Sequence, residues 1–266
     1  MNKNTFTKVT LEKGEVNVYD FGSVKLHAYR TDDPLSDEVF VVEKNGRAVV
    51  IESPCFYDNE KALGEYVKNM NVEGMLIAYH AAGGEFLKDK GVKKYATASA
   101  KEYGERGGGK ALIDSFEKAF GKAFDKTTHE ITDILSGGKT TIGGIDFIIP
   151  PNEKAVKIEI PEINAVYTHM LGHDCHSIVA DEKHADAIIS ELEGYVRKGF
   201  TFILTSHYTP EDLKDAETKI NYIKDLKKIA KKSKGAEEFK KTVKERYPNY
   251  GGENYLEMTA ATFFKQ

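Results

Sequence analysis

The chain of 266 residues contains no tryptophan, only two cysteines and seven prolines. No apolar run in it approaches the ~18–20 residues of a membrane span. Cys55 and Cys175 stand far apart, which excludes a disulfide framework and the ligand spacing of a zinc ribbon. Reduced thiols in a cytosol are the expectation that follows. The first residues, Met1 to Thr7, hold no apolar core of the kind a signal peptide needs, so a cytoplasmic protein is expected. A net charge of −4 leaves no basic footprint for nucleic acid. What the chain does have is 14 tyrosines, 14 phenylalanines and ample length for a sizeable core.

Strand signals open the first half. Residues 16–19 and 24–29 alternate as half-buried strands do, and 38–42 and 48–51 form two apolar runs. Asn45-Gly46 lies between the last two and predicts a hairpin, because both turn positions need positive φ. Helices are expected at 58–70, 86–90 and 110–124, the last with Leu112, Ile113, Phe116, Ala119 and Phe120 as its apolar stripe. Further strands are expected at 72–79 and 94–97. The second half repeats the grammar, with strands at 131–135, 140–142, 145–149, 156–160, 165–170 and 200–205. Helices are expected at 181–198 and 212–232, with another in the tail. No linker separates the halves. Two mixed halves of this kind predict an α+β fold of two packed sheets with helices outside, a four-layer arrangement. One domain spanning 1–266 is expected, with a core of about 14–230 and a helical tail at 235–266.

The stretch Tyr79-His80-Ala81-Ala82-Gly83-Gly84-Glu85 leaves the strand that ends at Tyr79. A histidine at a strand tip with an acidic residue five positions on resembles the metallo-β-lactamase superfamily, which carries His-x-His-x-Asp-His there. His80 keeps the first histidine, Ala82 and Gly84 replace the second histidine and the aspartate, and Glu85 closes the motif. Other segments continue the resemblance in order. Residues 49–54 look like the strand that ends in Asp-Thr-Gly, with Glu52 at the aspartate. Residues 149–153 look like the Pro-Gly-His-Thr segment, with Asn152 at the histidine. Residues 163–174 look like the strand ending in Gly-Asp, with His173 at the aspartate, and 203–207 keep the last histidine, His207.

The resemblance implies an αβ/βα sandwich of the metallo-β-lactamase type, with a site where loops after Tyr79, Ile149, Met170 and Thr205 meet at one sheet edge. It implies a divergent member with a degenerate motif, holding one divalent metal through Glu85, His173 and His207, with His80 as a fourth ligand or a base. Two imidazoles and a carboxylate suit zinc with an open position, or iron. The activity implied is a metal-dependent hydrolase acting on a small ester, thioester, amide or lactone through a metal-bound water, with His80 and His173 as catalytic residues. The alternative is a metal-poor or metal-free binding module on the same fold. An iron site for redox chemistry is a third reading; its two-iron form lacks bridging carboxylates at Gly84 and His173.

Thr168 to His176 holds three histidines and an aspartate. His173 is read as functional and His169 as an ordinary strand residue, while His176 and Asp174 stay open. Cys175 reads as a small buried hydrophobe or a soft ligand. Gly104 to Ala111 comes close to a phosphate-binding loop, but Ala111 lacks the hydroxyl and no strand precedes it. The basic run 227–234 reads as a solvated helix end. His27, His129 and His184 read as surface or structural. A small-molecule substrate is expected, with the aromatic end at 263–264 available to a homodimer partner.

Overall fold

The structure is a computed structural model that describes residues 1–150, 156–169 and 172–264. The chain divides into two compact units, one of residues 1–170 with 203–210 and one of residues 171–202 with 211–266.

The first unit holds two sheets. Eight strands pair in sequence order in the first sheet: β1 (Thr7–Thr10), β2 (Glu15–Asp20), β3 (Val24–Arg30), β4 (Glu38–Lys44), β5 (Arg47–Ile51), β6 (Asn71–Leu76), β7 (Lys93–Thr97) and β8 (Asp133–Leu135). β1 to β5 run antiparallel, and β5 to β8 are parallel. The expected Asn45-Gly46 turn joins β4 to β5, with φ of 53° and 77°. The parallel pair β5–β6 needs a crossover, which α1 (Tyr57–Tyr66) supplies. β1 was not anticipated, since its side chains are largely exposed and carry no apolar signal.

Alternation along β4 assigns its faces. Val39 and Val41 join Val16, Val50, Met75 and, from α1, Leu63 in one cluster, while Phe40 points the other way and meets Tyr167 edge-on at 6.0 Å. Tyr167 belongs to the second sheet, of order β13-β12-β11-β10-β9: β9 (Gly138–Ile142), β10 (Ile145–Ile149), β11 (Ile158–Ile160), β12 (Ala165–Thr168) and β13 (Phe202–Thr205). The two sheets of this unit are thus packed face to face.

Between β7 and β8 lie α2 (Ala98–Glu105) and α3 (Gly108–Phe120). α2 replaces what reads in sequence as an approach to a glycine-rich loop, so residues 104–110 join two helices and Lys110 pairs with Asp114. The stripe of α3 is narrower than its sequence implies. Ile113 is buried, but Leu112 is exposed because it sits one residue, about 100°, off the packed face. The 86–90 stretch forms only a short 3₁₀ turn at Lys88–Lys90.

The second unit is helical, with α4 (Glu182–Lys198), α5 (Leu213–Lys232), α6 (Ala236–Arg246) and α7 (Glu253–Phe263). α5 begins with a capping box, Asp212 and Asp215 each accepting the other's backbone N–H. Tyr222 and Tyr250 pack on His176, which meets the Tyr222 hydroxyl at 2.9 Å, and Tyr247 packs on both tyrosines. The aromatic end packs on Phe239 of its own chain, Phe263 at 6.1 Å and Phe264 at 5.6 Å. Among the described residues, no helix is long and apolar enough to cross a membrane.

Candidate functional site

The site in the first unit is organised by a carboxylate. Glu52 follows β5, is wholly buried and adopts a left-handed backbone at φ 68°. Such a conformation costs of order 1–3 kcal/mol in a residue other than glycine, so something must hold it. Its side chain accepts the backbone N–H groups of Ala78 (3.2 Å), Tyr79 (2.8 Å) and His80 (2.9 Å), and the Tyr167 hydroxyl at 2.6 Å. Glu52 therefore shapes the segment that carries His80.

The His80 ring is fixed in turn. Nδ1 lies 2.9 Å from the carbonyl oxygen of Ser53 and donates to it. Nε2 of the neutral ring is then a lone pair, buried and without a hydrogen-bond partner. It faces Asp37 Oδ1 at 3.9 Å, and His207 Nδ1 lies 3.3 Å from the same oxygen but off the line of a hydrogen bond. The two imidazole centroids are 6.3 Å apart. Asp37 Oδ2 accepts the Cys55 thiol at 3.4 Å. Burial alone would raise the Asp37 carboxyl, but the His80 and His207 imidazoles hold it below its ordinary range. Burial would lower His80, and the Asp37 and Glu52 carboxylates outweigh it and raise it. The pocket favours positive charge between these groups, as a proton or a cation.

A third imidazole borders them. His169 lies just past β12, with its ring stacked on Tyr79 at 4.5 Å and edge-on to His207 at 5.1 Å. Its Nδ1 is 2.7 Å from Ser206 Oγ, which is 2.6 Å from the Tyr167 hydroxyl. The strand expected to run to 170 ends at Thr168, so His169 belongs to the strand-tip loop and not to the sheet.

The motif positions after His80 have another use. Ala82 packs with Cys55, Phe56, Ile113 and Phe124 in a small core. A Cβ on Gly84 would collide with the carbonyl oxygens of Thr127 and Thr128, the former 2.8 Å away. Gly84 instead donates its N–H to Thr127 at 2.8 Å. Position 84 therefore cannot carry a ligand. Buried His129 braces the same loop: Nε2 meets the Ala82 carbonyl and Ser53 Oγ, each at 2.9 Å, and Nδ1 faces Lys94 Nζ at 3.3 Å. His27 is buried against Tyr66, and His184 sits at the surface near the start of α4.

The four expected ligands fall into different surroundings. His80 and His207 flank Asp37. Glu85 turns its carboxylate to Lys88 at 2.8 Å on the surface. His173 lies in the second unit, where its backbone N–H and its Nδ1 both meet Glu211 Oε1 at 2.7 Å and Nδ1 is 3.5 Å from Asp215 Oδ1. Asn152 lies outside the described residues.

His173, Glu211 and Asp215 are a group able to coordinate a divalent cation, with ligand atoms within 4.8 Å of one another. The hydrogen bond that the ring donates to Glu211, against the opposing effect of burial, raises His173 above the ordinary histidine range. Buried Lys219 holds the turn that carries His173, donating to the carbonyls of Gly172 (2.9 Å) and Cys175 (2.6 Å). His176 is a buried member of the tyrosine cluster, Cys175 is a buried thiol and Asp174 faces solvent.

Asp37, Glu211 and Asp215 were not anticipated. Asp37 lies just ahead of β4, next to the acidic residues Asp32, Asp33 and Glu38. Glu211 precedes the N-cap of α5 and Asp215 lies in its first turn, so no single periodicity marked the pair in the sequence.

No protein-family model matches the chain, and no curated protein matches it in sequence. Solved structures do. The DIM-1 metallo-beta-lactamase aligns over 81% of this chain and 99% of its own at 13% identity, with a TM-score of 0.52. The metallo-beta-lactamase from Pontibacter korlensis aligns over 79% and 99% at 15% identity, with a TM-score of 0.53. The sec-alkylsulfatase Pisa1 from Pseudomonas sp. aligns over 94% of this chain at 15% identity and a TM-score of 0.60, and this chain spans half of its length. At such identities the likeness is one of architecture: the chain has the four-layer αβ/βα metallo-β-lactamase fold, two mixed sheets flanked by helices, in a divergent form with an incomplete set of the expected ligands.

Proposed function

We propose that this protein is a hydrolase of a small ester, thioester, amide or lactone, working in the cytoplasm with one divalent cation, zinc foremost, held by Asp37, His80 and His207. The observation that carries the reading is the His80 ring. Its Nδ1–H is committed to Ser53, and its Nε2 lone pair faces a carboxylate oxygen at 3.9 Å in a buried setting. Two acceptors held face to face repel unless a positive charge lies between them, and a buried unpaired polar atom costs ~1–3 kcal/mol. Imidazole nitrogens and a carboxylate are zinc-type donors.

A cation bound there supplies Lewis acidity, polarising a carbonyl and lowering the pKa of water to about 7. The chain's own residues do the rest. Glu52 holds the His80 backbone, and Asp37 provides the carboxylate that position 84 has no room for. His207, with a quarter of its side chain exposed (24%), is the face open to substrate.

The test is elemental analysis of protein purified without added metal, followed by a screen of esters, lactones and alkyl sulfates on wild type, Asp37→Asn and His207→Ala. The expected result is about one ion per chain and turnover that both variants abolish. Metal-replete protein that turns over nothing, or turnover that survives both substitutions, overturns the reading. The second reading, a binding module without turnover, is favoured by the closure of positions 82 and 84, and a cation-loaded but inert protein would establish it.

A further inference from the structure

The three groups around His173 are oriented by the chain itself. Asp215 lies in the first turn of α5, and its Oδ2 accepts the Asp212 N–H at 3.0 Å, while its Oδ1 faces His173 Nδ1 at 3.5 Å. Glu211 Oε1 accepts the backbone N–H of His173 at 2.7 Å and so stays beside Nδ1 of the same residue, also at 2.7 Å. Buried Lys219 ties down the turn that carries the ring, through the Gly172 and Cys175 carbonyls. Partners of this kind are what orient metal ligands.

Charge and spacing both suit a cation. The Glu211 and Asp215 side chains are only 8% and 7% exposed, and they share one imidazole. Even a doubly protonated ring leaves the trio with an excess negative charge, which is costly to bury. A divalent ion beside a neutral ring cancels it. An octahedral ion with bonds of ~2.1 Å holds neighbouring donors about 3 Å apart. The two carboxylate oxygens stand 2.7 and 3.5 Å from Nδ1, and all three atoms lie within 4.8 Å of one another. The His173 side chain, 35% exposed, leaves one side open to the ion and its waters. The hydrogen now on Nδ1 leaves to solvent as the ion enters, and the ring keeps the one on Nε2.

We propose that His173, Glu211 and Asp215 form an exchangeable site for a divalent first-row transition ion, which clasps the turn of residues 172–176 to the start of α5. One imidazole and two carboxylates suit Mn²⁺, Fe²⁺ or Zn²⁺, whereas Ca²⁺ takes oxygen ligands throughout. The positive end of the α5 dipole opposes a cation there, so the ion is held loosely and binds only when supplied. The site shares no residue with the Asp37 group and stands independently of the cation proposed for it.

The test is NMR of isotope-labelled full chain titrated with Mn²⁺, a paramagnetic ion that broadens nearby amide resonances. The amides of 172–176 and 211–216 should broaden first, and a large excess of Ca²⁺ should not restore them. Glu211→Gln and His173→Ala should each weaken the effect at least ~10-fold, with the rest of the spectrum still that of folded protein. His173→Ala keeps both carboxylates, so undiminished broadening in it, or reversal by Ca²⁺, would reduce the group to an adventitious acidic pair and overturn the proposal. Broadening absent from both segments overturns it as well. That result leaves the Asp37 reading intact, since the metal content of protein purified without added ion decides that one. The clasp has its own readout: added Zn²⁺ should slow hydrogen exchange at the amides of 173, 175 and 176, and unchanged exchange removes that role.

Discussion

The Glu52 carboxylate receives the backbone N–H of His80 at 2.9 Å across 28 residues of chain. It thereby joins the end of β5 to the loop beyond β6. Glu52→Gln keeps the shape but turns an amide NH₂ toward groups that are themselves donors. We expect a loss of roughly 2–4 kcal/mol in urea denaturation, from one or two buried donors left unpaired. Ion affinity should fall with it, because the His80 segment loses its anchor. An unchanged denaturation midpoint would show that the left-handed residue is held by something else.

Gly84→Asp recreates the carboxylate of the resembled motif, yet it should not create a ligand. The new Cβ would meet two backbone carbonyl oxygens. Overpacking of this kind costs roughly 1–3 kcal/mol, occasionally more. We expect a lower melting temperature and no gain in ion affinity. A stable variant with tighter binding would contradict the closed geometry.

The sheets were legible because their signals are local. The Asn45-Gly46 turn and the alternation along β4 need no knowledge of distant residues, and His80 stands at the end of an apolar run. The centre of the site was less legible because Asp37 acts only through burial against His80 and His207, which its acidic neighbours disguise. His169 was read as a strand residue because the apolar pattern continues into Met170, whereas β12 stops at Thr168. His129 and Ala82 were not assigned to the loop they support, since bracing contacts across 47 residues leave no spacing in the sequence.

His129 gives the fold an acid limb. Burial, reinforced by Lys94, holds its imidazole at about 3. Unfolded, the ring takes up a proton near pH ~6.5. Between those values the unfolded chain binds more protons, so this contribution to stability is complete above pH ~6.5 and is lost as the pH falls toward 3. His129→Gln can donate to Ala82 and accept from Lys94 without titrating. Its melting temperature should fall less steeply than that of wild type between pH 6.5 and 4, while parallel curves would assign the acid limb to other groups.

The His173 group should respond to cations on its own. In a His80→Ala/His207→Ala background, millimolar Mn²⁺ or Zn²⁺ should still raise the melting temperature, as a ligand that binds only the folded state does. Adding Glu211→Gln should remove most of that rise, because Glu211 receives both donors of His173. A rise that is indifferent to Glu211 would place the cation elsewhere.

The packing of Ala82 against Phe56 and Phe124 fills the interior of the loop after His80 with hydrocarbon. A histidine introduced at 82 would have to displace two aromatic rings and leave a polar ring in an oily recess. The loop interior is thus closed to polar groups, and polar chemistry in this unit is left to the strand ends around Asp37 and His80.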